Sequence, residues 1–204
     1  MRYMLEGQES ERNRIAKDLH DGLGGLLSSV KAHFGMIQSE IHKIESLNIY
    51  DKAQTMMDNA CDEVRRISHN LMPPLLESQG LVVAVSNMMT NYEASHDVTC
   101  KLDIRNMDER LPETIEIFAY RICQELLNNI SKHASASHIE ISMYGLHDCV
   151  QIIMEDDGKG FLMDEINDGL GLVSIKSRIE YLNGEIEIDS ILNKGTTITM
   201  TIPK

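Results

Sequence analysis

Residues 124–134 read Gln-Glu-Leu-Leu-Asn-Asn-Ile-Ser-Lys-His-Ala, and the fold of the C-terminal half follows most directly from this stretch. Pro112 opens a helical pattern that continues to the end of the stretch, because proline suits the first turn of a helix. Glu125 and Asn129 are four residues apart, and Asn129 and Lys132 are three apart, so these polar side chains share one helix face. Such a face can line a pocket.

Glycines punctuate the sequence after this helix. Asp156-Asp-Gly-Lys-Gly-Phe161 follows a predicted strand, and Gly158 and Gly160 would let the backbone adopt positive φ angles and approach a ligand closely. Gly169-Leu-Gly-Leu172 then precedes a predicted helix, where unpaired amides and the helix dipole suit an anion such as phosphate. The segment between the two clusters is short, so any lid over a bound ligand is short as well.

Helix and strand patterns alternate from residue 75 to residue 204. Short turns join several strands directly, which favours mixed or antiparallel pairing over the regular βαβ order of a Rossmann sheet. The sequence therefore predicts an α/β sandwich over residues 75–204. Its predicted helices are 81–92, 112–134 and 172–182, and its predicted strands are 98–104, 139–143, 150–154, 184–188 and 196–202.

Residues 1–74 carry a different pattern, with apolar residues at mixed spacings of three and four. This predicts a helix from residue 11 to about residue 47, a break at Ser46–Tyr50, and a second helix over 53–71 that two prolines end. A lone helical hairpin leaves its apolar seam in water, so we expect two copies to form a dimeric four-helix bundle. The whole chain is thus predicted to be an α+β protein of two units.

His20 lies beside the apolar seam, within the stretch Glu11-Arg-Asn-Arg-Ile-Ala-Lys-Asp-Leu-His-Asp-Gly22. A neutral imidazole is a competent nucleophile toward a phosphoryl group, and the carboxylate of Asp21 can fix its tautomer and accept the released proton. A His-Asp pair on a helix surface is more often a simple solvated pair. We interpret the other seven histidines as offering no comparable arrangement.

These motifs resemble those of the sensor histidine kinases, in the nitrate-sensor-like class, over essentially the whole chain. Residues 11–22 are similar to the phosphoacceptor box E-R-x-R-I-A-R-D-L-H-D-G, and Leu71–Leu76 is similar to the link between the helical and catalytic domains. Residues 124–134 resemble the N box of the Bergerat ATPase fold, which histidine kinases share with gyrase and MutL. The two glycine clusters resemble the glycine boxes of that fold.

The resemblance implies a role for each matching residue. His20 is the phosphoacceptor, with Asp21 and Glu125 as catalytic residues. Asp156 accepts a hydrogen bond from the adenine amino group, and Asn129 is the Mg²⁺ ligand, since an amide oxygen suits this hard cation. The other implied nucleotide-binding residues are Lys132, His133, Gly158, Gly160, Gly169, Gly171 and Thr197, the last within Lys194-Gly-Thr-Thr197.

The implied function is autophosphorylation of His20 with Mg-ATP, followed by transfer of the phosphoryl group to an aspartate of a response-regulator receiver domain. One alternative keeps the ATP pocket but makes the chain an ATP-gated interaction module or an anti-sigma-type serine kinase. Another makes it a pseudokinase scaffold. The intact phosphoacceptor, N and glycine boxes favour the histidine kinase, while the signal, the regulator and the choice between transfer within one chain or across the dimer stay open.

Charge and composition exclude other classes of function. Nineteen Lys and Arg against 32 Asp and Glu give a net charge of −13, which disfavours a nucleic-acid surface because phosphate backbones need clustered cations. The P-loop and the Rossmann fingerprint are missing, and the four scattered cysteines are expected to be free thiols. No apolar run reaches the length of a membrane span, so we expect a cytoplasmic chain, with any membrane anchor in a region upstream.

Two positions near His20 and one near the chain's end leave open questions. The family pattern has glutamine five residues after the phosphoacceptor, implicated in regulator dephosphorylation, whereas this sequence has Gly25. The loss of that amide predicts a kinase with weak or absent phosphatase activity. In a helix interior, Gly24 and Gly25 each cost about 1 kcal/mol relative to alanine. The helix therefore either bends near His20 or accommodates both glycines in a well-packed bundle. Arg178 is either a phosphate contact or a surface residue.

Overall fold

A computed structural model describes residues 2–38, 44–71, 74–162 and 170–204. The chain divides into two compact units, Met1–Pro74 and Leu75–Lys204. The first unit is helical and the second combines helices with a five-stranded sheet. The predicted fold class is therefore confirmed.

The N-terminal unit consists of three α-helices and one π-helical segment. Both α1 and α2 pack against α3. The Tyr50 hydroxyl donates a hydrogen bond to the Phe34 carbonyl, and the two rings lie 5.8 Å apart. Lys31 and Asp58 form an ion pair of 2.5 Å, so a polar and an aromatic contact together fix the register of α2 on α3. The elements are α1 (Arg2–Asp18), the π-helical segment (Leu19–Gly24), α2 (Gly25–Gln38) and α3 (Ile44–Leu71).

The π-helical segment interrupts what the periodicity predicts to be one continuous helix. Three glycines fall within residues 19–25, and glycine is a weak helix former, so the regular α-helical ladder is easily lost there. The predicted break at Ser46–Tyr50 is wrong, because α3 begins at Ile44 and continues through that stretch. Tyr50 is buried and packs against Phe34 of α2, and this contact helps to keep the segment helical.

The C-terminal unit is a sheet in the order β1-β2-β3-β5-β4. The pairing is mixed, as predicted, because β1 and β2 run parallel while the other neighbours run antiparallel. The elements are α4 (Pro74–Ser95), β1 (Thr99–Arg105), α5 (Glu113–Asn129), a second π-helical segment (Ile130–Ala134), β2 (His138–Gly145), β3 (Cys149–Asp156), α6 (Leu170–Tyr181), β4 (Glu185–Ile191) and β5 (Gly195–Pro203).

Cross-strand rows divide the buried face of this sheet into an apolar part and a polar end. Alternate residues of a strand point to the same face, so residues paired across strands form rows on that face. Two complete rows are apolar, namely Ile141-Met154-Ile198-Ile188 and Met143-Ile152-Met200-Ile186. The row at one end is Ile139-Asp156-Thr196-Ser190, which brings polar side chains to the edge of the core.

A buried carboxylate fastens the start of α4 to α5. Glu116 is 3% exposed and accepts hydrogen bonds from the Arg110 guanidinium at 2.6 Å and from the Leu111 amide at 3.2 Å. Arg110 also donates to the Leu76 carbonyl in the first turns of α4. Gly80 has a φ of 86° and lies against Arg110, where a Cβ would come within 2.8 Å of the side chain. The kink in α4 at Gly80 therefore lies directly against this ion pair.

Replacing Glu116 with alanine is expected to destabilise the C-terminal unit by about 1–3 kcal/mol, because the buried Leu111 amide loses its acceptor. Glu113→Ala is the matched control, since Glu113 lies one turn earlier on the exposed face of the same helix. Calorimetric unfolding of the whole chain measures both. Equal stability of the two variants would contradict a structural role for the Glu116 carboxylate.

Candidate functional site

A cavity of about 610 Å³ opens beside the polar end of the sheet. Its volume is typical of sites for small ligands, which enclose about 300–1,000 Å³. Seven of the predicted site residues meet in its wall: Glu125, Asn129, Lys132, His133, Asp156, Gly160 and Gly171. The other lining residues are Leu126, Ile130, Ala134, Met154, Lys159, Phe161, Leu172, Thr196 and Ile198.

The polar face of α5 lies directly against the first turn of α6. A Cβ placed on Gly171 would lie 2.8 Å from the Glu125 Oε1 atom and 3.3 Å from the Asn129 Oδ1 atom. A side chain at position 171 would therefore displace the Glu125 carboxylate, so glycine lets the α6 backbone lie beside the two polar side chains as they stand. Glu125 and Asn129 share one face, as their spacing predicts, and the amide-rich start of α6 borders the same cavity.

The end of the second π-helical segment is joined to the first glycine loop. The Lys159 amide donates a 2.8 Å hydrogen bond to the Ala134 carbonyl. A Cβ on Gly158 would lie 2.6 Å from that same carbonyl oxygen, so the absence of a side chain permits the contact. Ser135 follows with a left-handed φ of 52° and ends the helical run. Lys132 and His133 are thereby held beside the loop that carries Asp156.

Asp156 ends β3 with one carboxylate oxygen engaged. The Gly158 amide donates a 2.8 Å hydrogen bond to Oδ1, and Oδ2 has no partner among the residues that the structure describes. Burial raises the pKa of this carboxyl, and the Gly158 hydrogen bond opposes part of that effect. A half-buried carboxylate with one open oxygen can accept a hydrogen bond from a ligand in the cavity.

Asp157, which the sequence motifs assign no role, holds the glycine loop to the start of β2. Its carboxylate accepts hydrogen bonds from the Ser137 hydroxyl at 2.6 Å, the Ser137 amide at 2.7 Å and the His138 amide at 2.8 Å. The Ser137 hydroxyl, followed by the His138 amide, lowers the pKa of Asp157 to about 2. The sequence signal for this role is the position of Asp157 between a strand and a glycine, where aspartate is a common turn residue.

Of the two adjacent threonines in β5, Thr196 lines the cavity. Thr196 pairs with Asp156 and lies on the buried face, whereas Thr197 lies on the opposite face and contacts Glu155 at 3.4 Å. The prediction of Thr197 as a cavity residue is therefore wrong by one position, because strand alternation reverses the face at every residue. Gly160, with a φ of 54°, packs against the Ile191 carbonyl and closes the loop.

Two described residues that the sequence singled out, Gly158 and Arg178, are absent from the cavity wall. Gly169 lies outside the described residues. Arg178 is 7% exposed and bonds to Ser174 within α6, so the surface alternative is wrong. A phosphate contact at Arg178 stays a prediction. Gly158 borders the cavity only through its contact with the lining residue Ala134.

His20 lies in the first π-helical segment with its side chain 64% exposed. Its Nδ1 atom is 3.2 Å from the Asp21 carboxylate, which favours the tautomer with the proton on Nδ1 and leaves the Nε2 lone pair open to solvent. The interpretation of the other histidines needs correction, since His96 and His147 are also followed by aspartate. His147 bonds to Asp148 through Nδ1 in an exposed turn, so a His-Asp contact by itself is no phosphoacceptor signal.

Two family models match the chain in order along its length. Residues 11–76 match the model described as histidine kinase, and residues 114–204 match the histidine kinase-, DNA gyrase B- and HSP90-like ATPase. The chain belongs to the sensor histidine kinases, in the nitrate-sensor-like class. The second model describes an ATPase domain, which implies that this histidine kinase core binds ATP.

Relatives with curated names agree with this assignment. The chain is 30% identical to the signal transduction histidine-protein kinase/phosphatase DegS of Brevibacillus brevis, over 98% of the chain and 53% of DegS. It is also 30% identical to the oxygen sensor histidine kinase NreB of Staphylococcus carnosus, over 100% of the chain and 59% of NreB. The kinase core thus spans little more than half the length of these relatives.

Solved structures support the fold. The histidine kinase domain of the Erythrobacter litoralis EL346 blue-light activated kinase matches with a TM-score of 0.57 and 14% identity, covering 88% of this chain and 94% of that one. The Acinetobacter baumannii histidine kinase AdeS matches with a TM-score of 0.51 and 17% identity, covering 87% and 94%. Within the described ranges, no helix combines the length and apolarity that crossing a bilayer requires.

Replacing Asp157 with asparagine is expected to destabilise the kinase core at neutral pH and to have little effect near pH 2. The folded state lowers the pKa of this carboxyl from 3.8 to about 2, so its stabilisation is present above pH 4 and is lost as the pH falls through 2. Urea unfolding of parent and variant between pH 2 and 7 measures the difference. Asp189→Asn, at an exposed strand position, is the control, and a pH-independent difference at Asp157 would contradict this explanation.

Proposed function

We propose that this kinase core uses Mg-ATP to phosphorylate His20 and then passes the phosphoryl group to an aspartate of a response-regulator receiver domain. The observation that carries the proposal is the place of His20 within residues 11–76, which match the histidine kinase model. The Nδ1 atom of His20 contacts Asp21, which favours the tautomer with the proton on Nδ1. An imidazole in this tautomer presents its nucleophilic lone pair away from the helix. The same chain contains an ATPase domain, so donor and acceptor occur together.

The cavity suits a nucleotide in shape and in the chemistry of its wall. Asp156 offers one open carboxylate oxygen for the adenine amino group. Gly158, Gly160 and Gly171 let the backbone lie close to neighbouring protein atoms and so shape the cavity wall. Lys132 and His133 line the wall and can face phosphate charge, while Gly169, outside the described residues, stays a predicted phosphate contact. Thr196 takes the place that Thr197 had in the prediction.

The wall also offers donors for Mg²⁺. The Asn129 amide lies next to the close approach at Gly171, and an amide oxygen is a suitable ligand for this cation. When bound with ATP, Mg²⁺ supplies charge neutralisation at the phosphate oxygens. Glu125, one turn earlier on the same face, supplies the predicted catalytic carboxylate of the cavity.

The proposed transfer needs little covalent help from the protein. The Nε2 lone pair of His20 attacks the γ-phosphorus, the bond from that phosphorus to the β,γ-bridging oxygen breaks, and ADP leaves with the electron pair. The Nδ1 proton of the resulting imidazolium passes to the adjacent Asp21 carboxylate. Because phosphoryl transfer depends mainly on positioning and charge neutralisation, correctly held groups supply most of the catalysis.

The proposal includes a homodimer built on the N-terminal unit. Large apolar side chains are exposed along α1, the π-helical segment and α2, with Leu26 reaching 66% exposure. A seam of this kind is expected to be covered by a second copy, giving a four-helix bundle. The exposed members of the seam are Ile15, Leu23, Leu26 and Val30.

We place this activity in the cytoplasm, where ATP and response regulators are available. The support is chemical: the net charge of −13 disfavours nucleic acid as the partner, and no disulfide links the described cysteines.

His20→Gln is expected to abolish labelling when the chain is incubated with Mg-ATP labelled on the γ-phosphate, while nucleotide binding persists. His147→Gln is a closely matched control, because Leu146-His147-Asp148 repeats the tripeptide at His20 and has the same Nδ1 contact with aspartate. The label is scored for the acid lability and alkali stability of phosphohistidine. Label retained in His20→Gln, or nucleotide binding without label in the parent, would count against the proposal.

Gly25→Gln is expected to raise dephosphorylation of the phosphorylated receiver domain, because the amide could orient an attacking water. Gly25 is exposed and a Cβ there meets nothing within 4 Å, so a side chain can begin at this position without a backbone clash. The measurement is loss of label from a phosphorylated regulator in the presence of ADP. Gly25→Ala is the control for helix propensity, and equal rates for the two variants would show that the amide has no role.

A further inference from the structure

Ser190 has no place in any recognised motif, yet it ends the polar row of the sheet. It pairs with Thr196 across β4 and β5, and Thr196 pairs with Asp156 across β5 and β3. The Ser190 Oγ atom accepts a 2.9 Å hydrogen bond from the Phe161 amide and lies 2.9 Å from the Thr196 Oγ1 atom. Ser190 thus joins two cavity-lining residues without lining the cavity itself.

Counting protons fixes one of these hydrogen-bond directions, and the distances favour a direction for the other. The Phe161 amide can only donate, so Ser190 must accept there and retains one proton of its own to donate. Its two possible acceptors are the Thr196 hydroxyl at 2.9 Å and the Gly195 carbonyl at 3.3 Å. The shorter contact favours Thr196. When Thr196 accepts this proton, its own proton is free to point into the cavity.

We propose that Ser190 is a specificity-determining residue that makes Thr196 a hydrogen-bond donor toward the bound purine. The proposal rests on the proposed function, in which Asp156 accepts from the adenine amino group. Adenine presents that amino donor beside the N1 acceptor on one edge. An acceptor at Asp156 and a donor at Thr196, adjacent in the same row, match this pair directly or through one water.

A purine with the opposite pattern is rejected by the same two groups. Hypoxanthine carries a carbonyl oxygen in place of the amino group and a proton on N1. Its carbonyl oxygen, an acceptor, would face the Asp156 carboxylate, and its N1 proton, a donor, would face the Thr196 proton. Each of these mismatches leaves polar groups unpaired. Without Ser190, the Thr196 hydroxyl can turn and offer its lone pair, so the second mismatch disappears.

Ser190→Ala tests this with three nucleotides, namely ATP, inosine triphosphate and purine riboside triphosphate, which keeps the N1 acceptor but lacks the amino group. Equilibrium dialysis with the whole chain measures each affinity. Loss of one directed hydrogen bond is expected to weaken ATP and purine riboside triphosphate about three- to tenfold and to leave inosine triphosphate unchanged or tighter. The preference for ATP over inosine triphosphate then falls by a similar factor.

Two further variants separate specificity from structure. Ser190→Thr keeps the hydroxyl and is expected to retain the parent preference. Thr197→Val removes a hydroxyl from the opposite face of the sheet and is expected to leave the preference unchanged. Equal weakening of all three nucleotides by Ser190→Ala would overturn the proposal while leaving ATP binding intact. Failure of the parent chain to bind ATP would overturn the proposed function as well.

Discussion

The hydrogen bond from the Lys159 amide to the Ala134 carbonyl is the contact on which the candidate site depends. It joins the helical side of the cavity to the sheet side, and it forms only because Gly158 has no side chain to separate the two backbones. On one side of this bond lie Lys132 and His133, and on the other lies Asp156. The Asp157 carboxylate reinforces the junction by tying the same loop to β2, so groups far apart in sequence are held in one wall.

Much of this arrangement could be predicted from the sequence, because it depends on spacing. Glu125 and Asn129 share a face through helical periodicity, and Gly160 occupies a left-handed conformation as a glycine in a tight loop should. The mixed sheet followed from strands joined by short turns. These features are local, and local rules suffice to predict them.

The features that escaped prediction depend on register or on tertiary contact. Thr196 and Thr197 differ only in the face of β5, and a one-residue ambiguity in a strand reverses the side chain. The end of the first helix was misplaced because residues 46–50 were predicted to be a break, whereas α3 begins at Ile44 and the burial of Tyr50 against α2 keeps this stretch helical. Asp157 bonds to Ser137, 20 residues away, and Ser190 bonds to Phe161, 29 residues away. No sequence motif records partners this far apart.

The order of the strands has a consequence for synthesis of the chain. β5 lies between β3 and β4, although both precede it in sequence, so β4 has no neighbour in the sheet until β5 has been made. The row that contains Asp156 and Ser190 is completed by Thr196 of that same strand. A chain that ends before residue 195 therefore lacks β5, which leaves one edge of β3 unpaired and the cavity incomplete. An unpaired strand edge of this kind favours aggregation over partial activity.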